Sequence, residues 1–269
     1  MNEKADPIKF HSVDTERPES FIQFLDARRD IEDELLVKKL VIDLLDLKSG
    51  HHVLDVGCGA GVDTCSIASL VAPRGKATGL DRSAAMIGEA RRRVEGSGLP
   101  VEFIEGDAQS LPFEDNSFAR CRIERVLVHT PDPRLVVREM ARVTQPGGLV
   151  VASEVELETC FLNSTNEDLA RRIPQGIADG VPSGRAARRV QRYFIEAGLQ
   201  DVRLVPRVVM NKVAFLKLAL GGRVQRMVEA GETTADEVEA FWEELDEAEG
   251  NGWLCSGIVC LTVAGRKAN

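Results

Sequence analysis

The stretch Val53-Leu-Asp-Val-Gly-Cys-Gly-Ala-Gly61 constrains this chain more than any other, because it sets a glycine-rich turn between a short apolar strand and an apolar helix. Glycine is needed where the backbone takes positive φ, or where a ligand must approach without a Cβ in the way. Gly57, Gly59 and Gly61 stand at alternate positions. A dinucleotide fingerprint, G-x-G-x-x-G, would place its third glycine at position 62, and that residue is Val62. The turn therefore reads as a loop for a nucleoside-bearing ligand of a different kind.

Around this turn the pattern alternates. Strands are expected over 52–56, 76–80, 101–105, 118–123 and 148–154, and helices over 61–71, 83–95 and 133–143. Asp132 as N-cap and Pro133 in the first turn open the last of these helices, and Pro146-Gly147-Gly148 ends it. Beyond 154 the pattern is less regular. Residues 184–197 read as a helix stopped by Gly198, 201–210 as a strand and 258–264 as the final strand. Seven strands alternating with helices predict an α/β fold built on a mostly parallel sheet with helices on both faces.

Two helical segments flank or interrupt this pattern. Residues 1–48 form an N-terminal helical segment, with one or two amphipathic helices over 17–47, and 49–269 form the main domain. Within that domain, 212–256 reads as a helical insertion before the last strand. Thr234-Ala-Asp-Glu237 is a capping box there, followed by Val238, Phe241, Trp242 and Leu245 on one stripe. The insertion is either a helical pair packed on the sheet or a lid over a substrate pocket.

Composition excludes several classes. The net charge of −9 argues against broad nucleic-acid contact, which needs a clustered basic surface. The clusters Arg91-Arg92-Arg93 and Arg185–Arg192 are spaced like solvated helix faces. No apolar run approaches the roughly 20 residues of a membrane span, and the polar start lacks a signal-peptide core, so a cytoplasmic location is expected. Six cysteines without Cys-x-x-Cys pairs read as buried thiols, not disulfides or metal ligands. One Tyr and two Trp are too few for a base-stacking surface.

The acidic residues at strand ends complete the ligand reading. Asp81 ends the second strand, 20 residues after Gly61, where a carboxylate can accept both hydroxyls of a ribose. Alone it would read as a turn or N-cap carboxylate before Ser83. Gly106-Asp107-Ala108 follows the third strand, so Asp107 can accept from an adenine amine while the Ala108 amide donates to a ring nitrogen. Met86 is a candidate apolar face for the adenine, although a helical Met also serves as plain core.

Four segments in order, Val-Leu-Asp-Val-Gly-Cys-Gly-Ala-Gly, Gly-Leu-Asp-Arg-Ser-Ala-Ala-Met, Gly-Asp-Ala-Gln-Ser-Leu-Pro-Phe and Arg-Val-Thr-Gln-Pro-Gly-Gly-Leu-Val, carry a resemblance. The chain resembles class I S-adenosylmethionine (AdoMet) methyltransferases of the ubiquinone and menaquinone biosynthesis type, bacterial small-molecule enzymes with a Rossmann-like sheet. The resemblance is densest over residues 50–155. It implies AdoMet as cofactor, with contacts from Gly57, Asp81, Asp107, Ala108 and the residues after strand four, Glu124, Arg125 and Val126. Asp55 can accept from the methionine ammonium directly or through water, Gly59 and Gly61 can lie against the ligand, and Arg82 adjoins Asp81. Two departures are visible: Phe118-Ala119 where many relatives read Phe-Asp, and Ala60 where relatives often carry Thr.

The expected reaction is an in-line displacement that moves a methyl group from AdoMet to a metabolite or natural-product acceptor, with positioning as the main source of rate. If the acceptor is a hydroxyl or a protonated amine, a general base helps, and His129 and Glu154 are the candidates, with Glu124, Glu156, Glu158 and His11 behind them. A His before Thr130-Pro131-Asp132 can equally be structural, and a strand-end Glu can simply bond backbone amides. The chain reads Ile-Glu-Arg-Val after strand four instead of an Asn-Pro-Pro-Tyr element, which disfavours methylation of amide or base nitrogen. No metal-ligand spacing is present. A small-molecule acceptor remains, with a homodimer as one assembly open to the chain. The alternatives are a protein of the same fold that binds AdoMet without methylating, and an NAD-type oxidoreductase, the latter disfavoured by Val62 and the lack of a Tyr-x-x-x-Lys pair.

Overall fold

The structure is a computed structural model that describes residues 10, 13–15, 18–29 and 31–269. His11 lies outside the described residues. The elements run α1 (Pro18–Ala27), α2 (Glu32–Leu45), β1 (His52–Val56), α3 (Val62–Val71), β2 (Lys76–Asp81), α4 (Ala84–Val94) and β3 (Val101–Glu105). They continue β4 (Phe118–Glu124), α5 (Pro133–Val143), β5 (Thr144–Leu162), α6 (Glu167–Asp179), α7 (Val190–Glu196), β6 (Leu199–Met210), α8 (Val213–Glu229), α9 (Ala235–Gly250) and β7 (Ser256–Lys267). The sheet order is β3-β2-β1-β4-β5-β7-β6. β3, β2, β1, β4 and β5 pair in parallel, whereas β7 runs antiparallel to both β5 and β6. The order reverses between β1 and β4, so their carboxyl ends open a crevice where ligands of such sheets sit.

Strand alternation distributes the core over both faces. Val53 and Ala77 pack with Ile67, Ala68 and Val71 of α3 on one face. Leu54, Val56 and Ile123 pack with Val136, Val137 and Met140 of α5 and Phe194 of α7 on the other. α2 lies on the α3 side: Val41, Leu44 and Leu45 meet Val151 and Ala264. Asp132 caps α5 by accepting from the Leu135 amide at 3.0 Å, with Pro133 in the first turn. The Thr234–Glu237 capping box opens α9.

Several expectations change beyond residue 143. β5 runs 19 residues, Thr144–Leu162, well past the expected 148–154, because β7 pairs with it as far as Leu162 across a register shift between Glu156 and Phe161. Glu156 and Glu158 therefore belong to the strand and do not follow it. The helix expected over 184–197 is confined to Val190–Glu196 after a 3-10 turn at Ala187–Arg189, where Glu156 accepts from the Arg188 amide (3.1 Å) and Nε (2.9 Å). α6 has no counterpart in the sequence reading. It packs Leu169 and Ile173 against Leu216, Leu220 and Val224 of α8 and Phe241 and Leu245 of α9, a three-helix cap. All six cysteines are free, with Cys121 and Cys260 buried but Cys255 exposed. No helix among the described residues is long and apolar enough to cross a membrane.

Candidate functional site

At the carboxyl ends of the parallel strands lies a cavity of about 750 Å³. Its floor is built from the glycine turn and the strand ends. Gly57 (φ +70°) and Gly59 (φ +52°) both reach the wall in left-handed conformations. A Cβ on Gly57 would stand 2.2 Å from Cγ2 of Val126, itself on the wall. Asp81 holds the turn in shape: Oδ2 accepts from the Gly59 amide at 2.9 Å and Oδ1 from the Ser83 amide at 3.0 Å. Burial pushes the Asp81 carboxyl upward, against those two donors. Arg82, Met86, Asp107 and Ala108 line the same end, and Asp107 Oδ1 accepts from the Gln109 amide at 2.8 Å, which fixes the loop after β3.

Two expected ligand residues stand elsewhere. Gly61 (φ +78°) precedes α3, and a Cβ there would meet the Phe103 ring at 2.6 Å; its role is the close packing of α3 and α4 on the sheet, not contact with the cavity. Asp55 is likewise absent from the wall. It is buried, accepts from Thr64 Oγ1 at 2.6 Å and pairs with Arg122 at 3.4 Å. Arg122 continues to Glu124 at 2.6 Å and Asp63 at 3.4 Å, and Lys38 of α2 donates to Asp63 at 2.5 Å. Burial opposes the charge on Arg122, but Asp55, Glu124 and Asp63 more than offset it. Of this network only Glu124 reaches the cavity.

The other half of the cavity is mainly apolar. Leu157 and Cys160 of β5, Pro174 and Ile177 of α6, and Phe215, Leu216 and Ala219 of α8 form its walls. α8 is thus the cavity-facing part of the 212–256 segment, and no residue of α9 lines the cavity. The N-terminal region closes the space between the halves: Phe10 packs edge-on against Phe21 with centroids 5.0 Å apart, and Phe24 stacks on Phe215 at 5.7 Å. Asp14 holds this region to the start of α4, accepting from Ser83 Oγ at 2.7 Å and the Ala85 amide at 3.0 Å.

Glu154 and His129 both line the cavity. Glu154 is 1% exposed and lines the cavity; burial pushes its carboxyl up to about 7, although the Val155 amide (3.1 Å to Oε1), the field of Arg125 and the Val128 amide (3.4 Å to Oε2) all favour the anion. His129 ends the 3-10 turn Leu127–His129 and lies against Phe10, ring centroids 5.4 Å apart. Arg125, a non-glycine residue at φ +56°, sends its guanidinium to Glu34 of α2, which also accepts from Arg28 at 3.1 Å. Burial raises Glu34, but Arg125 and Arg28 together hold it below the ordinary range. Sequence reasoning missed Glu34 and Arg28, because Glu32-Asp33-Glu34 in a first helical turn reads as a solvated end.

A methyltransferase-domain family model matches residues 47–198. A 37.1 kDa protein in transposon TN4556 of Streptomyces fradiae is 32% identical over 78% of this chain and 62% of its own length. A demethylmenaquinone methyltransferase of Geobacillus stearothermophilus is 40% identical over 46% of this chain and 53% of its own. The chain spans less than two thirds of the length of either. The solved YcgJ protein of Bacillus subtilis superposes with a TM-score of 0.57 at 22% identity, covering 86% of this chain and 98% of that one, a likeness of fold.

Proposed function

The chain belongs to the methyltransferase-domain family, in its class I AdoMet-dependent branch, and on that premise we propose that it transfers the methyl group of AdoMet to a small acceptor with a largely apolar body. The observation that carries this reading is a single cavity with two unlike halves, a glycine-and-carboxylate floor and an apolar vault, joined where Glu154 and His129 stand.

The floor suits the cofactor. Gly57 and Gly59 offer backbone with no Cβ in the way. Each Asp81 oxygen has one amide donor and keeps acceptor capacity for a ribose hydroxyl. Asp107 and the Ala108 amide suit the adenine edge, with Met86 beside its face. Asp55 acts at one remove, through Arg122, in setting the position of Glu124. When bound, AdoMet supplies a methyl group already activated on a sulfonium, so the chain's task is alignment and exclusion of water. The aromatic N-terminal region and α8 serve the exclusion.

Glu154 is the residue we assign to proton removal from the acceptor. With its carboxyl near 7 it exchanges between acid and base at neutral pH, where a general base works best. His129 is a neighbour on the same wall and the second candidate for that role. The test is incubation of the protein with methyl-labelled AdoMet and a metabolite extract. Label should pass to an organic acceptor, and Asp81→Ala should abolish both cofactor binding and transfer. Cofactor binding with no acceptor labelled would leave a binding protein and overturn the transferase reading.

A further inference from the structure

Charge is unevenly spread along the cavity. Beneath the cofactor floor, Arg122 and Lys38 face Asp55, Asp63 and Glu124, an excess of carboxylates that suits a ligand carrying a sulfonium and an ammonium. Beside this network, in the fields of Asp63 and Glu124, stand two more cations. Arg28 and Arg125 line the cavity and share one carboxylate, Glu34, each through Nη2 alone. The Nε atoms of both are buried without a partner, and Nη1 of neither meets a protein acceptor among the described residues. A guanidinium has five donors. A charge withdrawn from water without its hydrogen bonds is costly, so two such forks left largely unfilled on one cavity wall point to an anion that completes them.

The position of Arg125 says which ligand. Its side chain lies in the field of Glu34, Glu124 of β4 and Glu154 of β5, beside Cys260 of β7, on the side of the sheet away from β2 and the adenine end. The left-handed backbone at φ +56° costs energy for a side chain of this kind, and such strain is kept where the surroundings or a ligand require it. Of the two other acids beside Arg125, Glu124 is paired with Arg122 at 2.6 Å and Glu154 is held close to neutral by burial, so neither fills the fork.

We propose that the acceptor is an acid, whose carboxylate sits on Arg125 and Arg28 across from Glu34 while its apolar body extends between β5, α6 and α8. This rests on the transferase reading for its identification of the two halves, and names the acceptor's chemical class. Arg-carboxylate pairs are planar and bidentate, so the seat fixes orientation as well as charge. The methyl-accepting atom is then presented at Glu154 by the anchored end of the molecule.

The test uses octanoate and octanamide as probes, titrated into the full chain with and without saturating S-adenosylhomocysteine. Octanoate should bind more tightly than octanamide by about tenfold or more. Arg125→Gln and, separately, Arg28→Gln should erase that preference, while the ratio of affinities for S-adenosylhomocysteine and 5'-methylthioadenosine, which lacks the amino acid, stays as in the wild type. Arg28 lies at the end of α1 on the cavity rim, so Arg28→Gln keeps the test readable if Arg125→Gln fails to fold. Equal binding of the two probes, or no binding of octanoate, overturns the proposal. So does a change in the homocysteine-to-thioadenosine ratio with octanoate unaffected, which would assign the forks to the cofactor's own carboxylate. Failure of S-adenosylhomocysteine to bind at all would strike the transferase reading instead, and the probe titration without it would still decide the seat.

Discussion

Replacing Glu154 by Gln should make the protein more stable than the wild type at high pH and about 1 kcal/mol less stable at low pH. The Glu154 carboxyl is raised from an ordinary value of 4.5 to about 7, first by burial, with the Val155 amide, Arg125 and the Val128 amide opposing it. Between those two values the folded chain holds a proton that the unfolded chain has released. Stability contributed by the neutral acid is therefore full below pH 4.5 and lost as pH rises through 7. The difference amounts to about 3 kcal/mol. Gln cannot ionise, so it escapes that loss, but its amide nitrogen faces one of the two backbone donors and costs about 1 kcal/mol at every pH. Urea unfolding of wild type and Glu154→Gln at pH 5 and pH 8 isolates the effect, because the constant cost cancels between the two pH values. The variant should gain about 3 kcal/mol on the wild type from pH 5 to pH 8. An equal difference at both values would refute the claim that burial holds this carboxyl near neutrality. Methyl transfer should fall in the same variant, and wild-type transfer should rise through pH 7 and level above it.

Three further substitutions probe the frame around the site. Asp81→Asn removes the charge and turns an amide nitrogen toward one of the two backbone donors, so S-adenosylhomocysteine affinity should fall by roughly a hundredfold, about 3 kcal/mol, with about 1 kcal/mol lost in unfolding; calorimetry reads the first directly. Gly57→Ala puts a methyl 2.2 Å from Val126 Cγ2 at φ +70°, and should cost about 2 kcal/mol or more in urea unfolding as well as weaken cofactor binding. Arg122→Met leaves Asp55, Asp63 and Glu124 facing one another without their central cation, and should cost about 3 to 5 kcal/mol.

Much of the sheet was legible because its strands are short, apolar and separated by strong turn signals. Asp81, Asp107 and the glycine loop fall at strand ends whose order the sequence already implied. The second half was harder. Val155, Glu156, Leu157 and Glu158 alternate with the period of a strand, yet three nearby glutamates read as the end of one; their charges are accepted because Arg185 and Arg188 meet Glu156 and Glu158. α6 carries Leu169, Ile173 and Ile177 at helical spacing behind an Asn166 cap, but Pro174 and Gly176 disguise it. Asp55 and Gly61 were expected on the ligand because their motif is; only the packing shows that Arg122 and Thr64 take the first and Phe103 crowds the second. Glu34 and Arg28 carry no local signal, since their meaning comes from β4 and lies far away in sequence.

The most direct test of the account is a calorimetric titration of the intact chain with S-adenosylhomocysteine. It predicts saturable binding at one site per chain, lost on Asp81→Ala while the variant still unfolds cooperatively. Well-folded wild-type protein that takes up none of the ligand, or an Asp81→Ala variant that binds it as tightly, would contradict it.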